Sequence, residues 1–339
     1  MIPTADDAAT GRITYRTFAG WDDLPGMGAA NQAHRGRIGV LERIDLAELR
    51  HYYEHLPHTD LARDVRIVEL DGRIVGYARA AWVDRADDTR TYEATILVDP
   101  SVWGRGIAAE LLAWGESRLR ELAVTSPQPV GAPASWYQTW LTEGDPETLP
   151  VFVAAGYRPV RRGAEMVRDT LDDPLPDVPL PDGFEIRPVP PERIHAFWET
   201  TVRVFADTFG EPRLGENDFV TWRDDPGRDS SLDIVAWHGD EVAAYVLGQL
   251  DTGPDGSIRG ELHEVGTVSA YRRRGLARAV VAASLRVLRE RGARSAYLGV
   301  DLQNPNQALT LYESCGFRVA NSTLTYRRPF DGPWPEEPA

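Results

Sequence analysis

Three arginines and a glycine stand together in the second half of the chain, in the run Thr267-Val-Ser-Ala-Tyr-Arg-Arg-Arg-Gly-Leu-Ala277. A β-forming run ends just before them, and apolar residues at helical spacing begin just after. The start of a helix offers unpaired backbone N–H groups and the positive end of the helix dipole. Arginines add charge-assisted donors, and glycine lets the backbone approach a ligand closely. This combination suits a pyrophosphate.

The residues predicted to form this anion-binding turn are Thr267, Val268, Arg272, Arg273, Arg274, Gly275, Leu276 and Ala277. An ordinary helix that follows a basic glycine turn would give the same local pattern, so the turn alone leaves two interpretations.

A second segment, Leu298 to Phe317, contains a strand-like run, a loop with asparagines, a short helix bearing Tyr312 and the step Gly316-Phe317. The pattern Arg-x-x-Gly-x-Ala after a strand and before a long helix resembles the acetyl-CoA signature of the GCN5-related N-acetyltransferase (GNAT) superfamily. The second segment is similar to the last motif of that superfamily, and the two motifs occur in the family's order. The resemblance covers both halves of the chain in outline and is strongest from Glu261 to Phe317.

The resemblance implies that acetyl-CoA is the co-substrate and that two strands splay apart to admit its pantetheine arm. Asn304 would hydrogen-bond this arm, and Asn306 of the same loop is a further candidate. Tyr312 would lie near the thioester sulfur and act as general acid, because a phenol can donate a proton without being ionised at neutral pH. The alternative role of Tyr312 is to pack against Phe317.

Acyl transfer to an amine also needs a group that accepts the amine's proton. The strand before the turn offers Glu261, His263 and Glu264, and members of the family carry a glutamate or histidine base on this strand. Alternation predicts that Glu261 and His263 share one face and that Glu264 lies on the other, whereas a β-bulge would bring Glu264 inward. The choice among the three stays open. A backbone N–H of Thr267 or Val268 is predicted to stabilise the oxyanion.

These motifs belong to the second of two similar halves. Gly106 precedes a predicted helix as Gly275 does 169 residues later, and Gly156-Tyr157 lies 160 residues before Gly316-Phe317. Landmarks that stay nearly in phase over a whole domain indicate one fold used twice. The predicted class is α+β, with two tandem GNAT-type domains, each a mixed, mostly antiparallel sheet flanked by helices.

A stretch dense in proline and aspartate, residues 169–183, predicts an extended, solvated linker. It divides the chain into an N-terminal domain, residues 1–168, and a C-terminal catalytic domain, residues 184–330. We interpret the N-terminal domain as degenerate and structural, because it keeps the outline and lacks the functional groups. Its replacements are Trp103 for Arg272, Phe152 for Tyr312 and Tyr92 for Glu261. Whether it still binds acetyl-CoA stays open.

Composition limits the partners. The chain has 339 residues and a formal net charge of −15, which argues against nucleic acid and is compatible with a cationic amine. No stretch approaches the roughly 18 apolar residues of a membrane helix. The first ten residues lack a secretory signal, so we expect a cytoplasmic protein with no membrane partner. The single cysteine, Cys315, and the absence of zinc-type Cys/His spacing predict neither a disulfide framework nor a metal site.

The predicted function is acetyl-CoA-dependent N-acetylation of a primary amine on a small molecule, by a monomer or homodimer. Aromatic and acidic residues between Pro191 and Asp229 would contribute to the acceptor site, although the same pattern also fits helix core and a solvated face. Two alternatives stay open. One is an enzyme like the mycothiol synthases, which are tandem members of the superfamily, acetylating an amino-sugar thiol precursor. The other is a non-catalytic acyl-CoA-binding, regulatory or drug-sequestering protein.

Overall fold

The computed structural model describes residues 11–40, 43–128, 133–253, 255–304 and 308–335. The chain forms two compact units. Unit 1 combines the chain up to Arg161 with the segment from Thr323 onward, and unit 2 is Arg162–Ser322.

The helices and strands of the two halves follow in nearly the same order. The first half contains β1 (Ile13–Thr17), α1 (Leu24–Arg37), α2 (Leu46–Glu54), α3 (Leu61–Asp64), β2 (Val65–Leu70), β3 (Arg73–Asp84), β4 (Arg90–Val98), α4 (Ile107–Thr125), β5 (Ser135–Thr142), α5 (Leu149–Ala154) and β6 (Arg158–Arg168). The second half contains β7 (Glu185–Ile186), α6 (Ile194–Phe205), α7 (Glu216–Arg223), β8 (Ile234–His238), β9 (Glu241–Thr252), β10 (Ile258–Thr267), α8 (Leu276–Glu290), β11 (Ser295–Asp301), α9 (Ala308–Ser314) and β12 (Arg318–Pro329).

Each unit has one mixed sheet. The strand order is β1-β2-β3-β4-β5-β12 in unit 1 and β7-β8-β9-β10-β11-β6 in unit 2. Among the described strands, pairing within each unit is antiparallel except for β4 with β5 and β10 with β11, which are parallel. The predicted α+β class, with mostly antiparallel sheets flanked by helices, is confirmed.

The structure divides the chain differently from the predicted boundaries. β6 ends the first half in sequence, but its residues 163–168 pair with β11 in unit 2. β12 ends the second half, but its residues 323–329 pair with β5 in unit 1. Each half thus supplies the last strand of the other half's sheet. Boundaries drawn at 168 and 184 follow sequence order and miss this exchange, because the alternation of a strand does not identify its partner.

Residues 169–183 contain no helix or strand, but they are not a free, solvated linker. Leu171 is buried in the core of unit 2, and its N–H donates to the carbonyl of Arg294 at 2.7 Å. Arg286 donates to the carbonyl of Pro176 at 2.7 Å. Burial of Leu171 and these two hydrogen bonds therefore fix the segment to unit 2.

α6 and α8 cover opposite faces of the sheet in unit 2. α8 buries apolar residues at helical spacing, and these pack with Leu262 and Val246. Phe197 of α6 packs on the other face with Tyr245 and Leu247. Successive residues of β9 therefore point to opposite faces of the sheet, as strand geometry requires. The carboxylates of Glu261 and Glu264 in β10 lie on the α6 face.

Two further findings concern partners. None of the described helices is long and apolar enough to cross a membrane, and the described residues hold no group of three or more His, Cys, Asp or Glu placed to bind a metal ion. Cys315 is buried in the core of unit 2. The cytoplasmic location and the oligomeric state stay predictions.

Gly266 of β10 provides a test of this packing. A Cβ at this position would overlap the fully buried ring of Tyr245. Gly266→Ala is therefore expected to lower the free energy of unfolding by about 1–3 kcal/mol, the usual effect of overpacking. Gly299→Ala in β11 is the matched control, because no atom of the described residues lies within 4 Å of its added Cβ. Urea denaturation of both variants checks this, and equal stabilities would contradict the packing described.

Candidate active site

The site in unit 2 begins where two parallel strands separate. β10 and β11 pair over three positions, from Arg259 with Ser295 to Glu261 with Tyr297. Both strands then continue, β10 to Thr267 and β11 to Asp301, with no further pairing between them in this described stretch. The result is the open wedge that the resemblance implied.

The anion-binding turn lies at the end of β10. Gly275 has a φ of +83° and caps α8, whose first N–H groups have no acceptor within the helix. Arg272 donates from Nε to the carbonyl of Thr267 at 3.2 Å, and Arg274 donates to the carbonyl of Ala270 at 3.5 Å. All three arginines are exposed, and none has a carboxylate partner among the described residues.

Arg273 holds the turn in a conformation that favours glycine. Its φ is +64°, in the left-handed region, which costs a non-glycine residue roughly 1–2 kcal/mol. The corresponding position 169 residues earlier is Gly104, with a φ of +75°. Unit 2 thus keeps a positive charge where a glycine would be less strained, which supports a role for this side chain in binding an anion.

The other predicted residues of the turn fall into two groups. Leu276 is buried in the core, so it can offer a ligand only its backbone N–H. Thr267, Val268 and Ala277 are half-buried, and Val268 packs partly against the core. The turn therefore presents arginine side chains and backbone donors rather than apolar side chains.

A β-bulge at His263 changes which side chains of β10 share a face. The register shifts between Leu262, which pairs with Gly248, and Glu264, which pairs with Leu247. The simple alternation expected from sequence is therefore wrong, because the extra residue moves Glu264 onto the α6 face. Glu261 lies on that face too, and both carboxylates belong to one site.

Glu264 accepts a hydrogen bond from the hydroxyl of Tyr245 at 2.5 Å. Burial raises the pKa of Glu264, while this hydrogen bond lowers it. Burial also raises the pKa of Tyr245, and the charges of Glu264 and Glu211 act in the same direction. Tyr245 therefore remains a hydrogen-bond donor that holds the carboxylate.

Glu261 belongs to a chain of polar contacts. Tyr297 donates to Asp251 at 2.8 Å and lies 3.3 Å from Glu261. On the other side of Glu261, Nδ1 of His263 lies 3.4 Å away, and the His263 side chain is 60% exposed. The hydrogen bond to Glu261 raises the pKa of His263. The contacts therefore run from half-buried Asp251 to the solvent-exposed imidazole of His263.

Sequence reasoning missed Tyr245, Asp251 and Tyr297. All three lie on strands next to β10 and on the face of Glu261 and Glu264. The alternation of β9 and β11 carries this information, but only once the register and the bulge are known.

Tyr312 belongs to α9, which follows β11, the second strand of the wedge. Tyr312 is buried and packs edge-to-face on Phe317 with ring centroids 6.1 Å apart. Burial raises the pKa of Tyr312, so its hydroxyl stays protonated at neutral pH. The N–H of half-buried Asn304 donates to the carbonyl of Asp301 at 3.1 Å. Asn306 lies outside the described residues.

Unit 1 also carries a carboxylate on the corresponding face of its sheet. Tyr92 packs in the core beneath α4, so Glu93, and not Tyr92, matches Glu261. Glu93 is buried, ion-paired with Arg85 and hydrogen-bonded by Thr91 at 2.8 Å. The carboxylate of Glu93 is therefore already paired with Arg85 and Thr91 of unit 1.

Comparison with known proteins agrees with this geometry. The model of the Acetyltransferase (GNAT) family matches residues 36–126 and 197–317. The mycothiol acetyltransferase of Geodermatophilus obscurus is 30% identical over 299 residues, covering 86% of this chain and 89% of that protein. A GCN5-related N-acetyltransferase from Sphaerobacter thermophilus has a similar structure, with a TM-score of 0.71 and 24% sequence identity. The match covers 95% of this chain and 97% of that protein. A tandem GNAT protein from the clavulanic acid biosynthesis pathway has a TM-score of 0.69 at 16% sequence identity, and the match covers 95% of this chain and 99% of that protein.

The contact between Glu261 and His263 can be measured directly. Glu261→Gln removes the anion that favours the protonated imidazole, so the pKa of His263 is expected to fall. A pH titration of the histidine resonances by NMR checks this. An unchanged His263 titration would refute the contact.

Proposed function

Since this chain belongs to the GNAT family of acetyltransferases and is an N-acetyltransferase, we propose that unit 2 binds acetyl-CoA and acetylates a primary amine of a small molecule. The observation that carries the proposal is the open wedge between β10 and β11 beside a turn whose cationic and N–H donors have no carboxylate partner in the described structure. The described part of unit 1 lacks this combination.

The residues of unit 2 fit this co-substrate. The N–H groups at the start of α8, with Arg272, Arg273 and Arg274, would hold the pyrophosphate. Asn304, beside the wedge, would bind the pantetheine arm. Acetyl-CoA supplies the activated thioester, and the backbone N–H of Thr267 would stabilise the oxyanion. The N–H of Val268, the other predicted donor, is already used, because it donates to the carbonyl of Ala243 at 3.0 Å.

Glu261 is the proposed general base. A base must take the amine's proton and then release it. Glu261 is positioned from one side by Tyr297, and exposed His263 lies 3.4 Å away on the other, so the proton has a route to water. Glu264 is instead held by the buried hydroxyl of Tyr245, and we assign it a positioning role.

Tyr312 is the proposed general acid. Its raised pKa keeps the proton on the phenol until the thiolate leaves. The aromatic packing on Phe317 fixes the ring, so the packing role and the acid role do not exclude each other.

The acceptor class follows from charge and from the relatives. Asp251, Glu261 and Glu264 bring three carboxylates to one face of the sheet, and the negative charge of Asp225 also acts on His263. This field favours a protonated amine on approach. The relative from Geodermatophilus obscurus is named for mycothiol, so the amine that becomes mycothiol on acetylation is the first acceptor to test.

The experiment incubates the full chain with acetyl-CoA and this amine and follows the acetylated product by mass spectrometry, because the acceptor carries its own thiol. We expect product from the wild type and a decrease of about 10²–10⁴ in kcat for Tyr312→Phe. A Tyr312→Phe enzyme with full activity would remove the acid role. Absence of product with this acceptor and with a panel of amino sugars and small amines would contradict the proposed function.

The base assignment rests on a matched pair of isosteric variants. Glu261→Gln is expected to lower kcat by about 10²–10⁴, because an amide cannot accept the proton of the amine. Glu264→Gln keeps an acceptor for Tyr245 and is expected to have a much smaller effect. Measurement of kcat and kcat/KM for both variants checks this, and a larger loss for Glu264→Gln would transfer the role to Glu264.

A further inference from the structure

The glycine turn of unit 1 has the same backbone shape as the turn of unit 2. Gly104 and Gly106 have φ values of +75° and +79°, and Arg273 and Gly275 have φ values of +64° and +83°. A short 3-10 turn precedes each pair, and a long helix begins directly after each. Both turns therefore have the backbone geometry to bind an anion.

Unit 1 already places an anion of its own at this turn. The N–H of Gly104 donates to Oε2 of Glu147 at 2.9 Å. The Glu147 side chain is brought there by the loop before α5, where the Glu147 N–H donates to Oδ1 of Asp145 at 2.9 Å. A carboxylate thus occupies a backbone donor of the turn that a phosphate oxygen would otherwise use.

The end of β4 is occupied as well. The carbonyl of Val98 accepts from Nε1 of Trp103 at 2.7 Å and lies 3.0 Å from Nδ1 of His34. The other ring nitrogen of His34 lies 3.2 Å from Oδ2 of Asp145, and both residues are buried. In unit 2 the corresponding carbonyl, that of Thr267, accepts from exposed Arg272.

A side chain also bridges the two strands at the base of the wedge in unit 1. β4 and β5 pair over four positions, ending at Glu93 with Gln138. The hydroxyl of Thr139 then donates to the carbonyl of Ala94 at 3.2 Å. A side chain thereby continues the contact between the strands beyond the last backbone pair.

We infer that the turn of unit 1 is an acyl-CoA-type site filled by the protein's own Glu147, with His34 and Trp103 closing the end of β4, so that each chain binds one acyl-CoA, in unit 2. Glu147 places a carboxylate on the N–H of Gly104, at the position where unit 2 has Arg273, and this negative charge would repel a pyrophosphate. The inference rests on the proposed function, because it assumes that the turn of unit 2 binds this ligand.

Two glycines provide a matched test. Gly106 and Gly275 each cap a helix at φ near +80°, and an added Cβ meets nothing within 4 Å at either position. Gly106→Glu and Gly275→Glu therefore impose the same strain and the same charge on equivalent turns. Calorimetric titration with CoA, which carries the phosphates and cannot transfer an acyl group, gives the number of sites and the Kd. Circular dichroism confirms that each variant is folded.

We expect one site per chain in the wild type, the same site with an unchanged Kd in Gly106→Glu, and no binding in Gly275→Glu. Two sites in the wild type would overturn the inference and leave the proposed function standing. One site that persists in Gly275→Glu and is lost in Gly106→Glu would place the ligand in unit 1 and overturn both. A wild-type chain that binds no CoA would overturn the proposed function, and the inference with it.

A second variant keeps the test decisive if Gly275→Glu does not fold. Replacing Arg272, Arg273 and Arg274 together by alanine removes only exposed side chains and leaves the glycine in place. We expect a loss of CoA affinity of at least tenfold, because three charge-assisted contacts are removed. Unchanged affinity in this variant would show that CoA binds elsewhere and would overturn the inference.

Discussion

The separation of β10 from β11 is the constraint on which the rest of the site depends. Backbone groups in a sheet need hydrogen-bond partners, and here a parallel ladder stops after Glu261 and Tyr297 although both strands continue. The backbone edges beyond this point face a wedge. The bulge at His263 brings both glutamates to the α6 face, and the turn after Thr267 aims the first N–H groups of α8 at the end of the same wedge.

The two halves of the chain show how one backbone can serve two purposes. The glycine turns, the long helices that follow and the parallel strand pairs recur in both units. In unit 1 the polar groups of the turn and of the adjoining strand are satisfied by Glu147, Trp103 and His34. In unit 2 the corresponding groups face exposed arginines. The difference between the units lies in a few side chains and not in the fold.

The sequence was sufficient for much of this account. The glycine turn, both long helices and the two motifs are local features, so the residues near Gly275 and Tyr312 could be identified by spacing. The roles of Glu261 and Glu264 depend on a bulge, which inserts one residue without a clear local signal. Tyr245, Asp251 and Tyr297 join the site through strand register. Glu147 contacts Gly104 although 43 residues separate them in the chain. The exchange of β6 and β12 depends on which strands pair with each other. Local sequence patterns carry neither kind of information.

The most direct test of the central claim is amide hydrogen exchange of the full chain with and without acetyl-CoA. The N–H groups at residues 275–278 start α8 and lack helical acceptors, so a bound pyrophosphate should slow their exchange markedly. The corresponding residues 106–109 of unit 1 should not change. Protection confined to the start of α8 is the predicted result. Protection at the start of α4, or at neither helix, would contradict the assignment of the acyl-CoA site to unit 2.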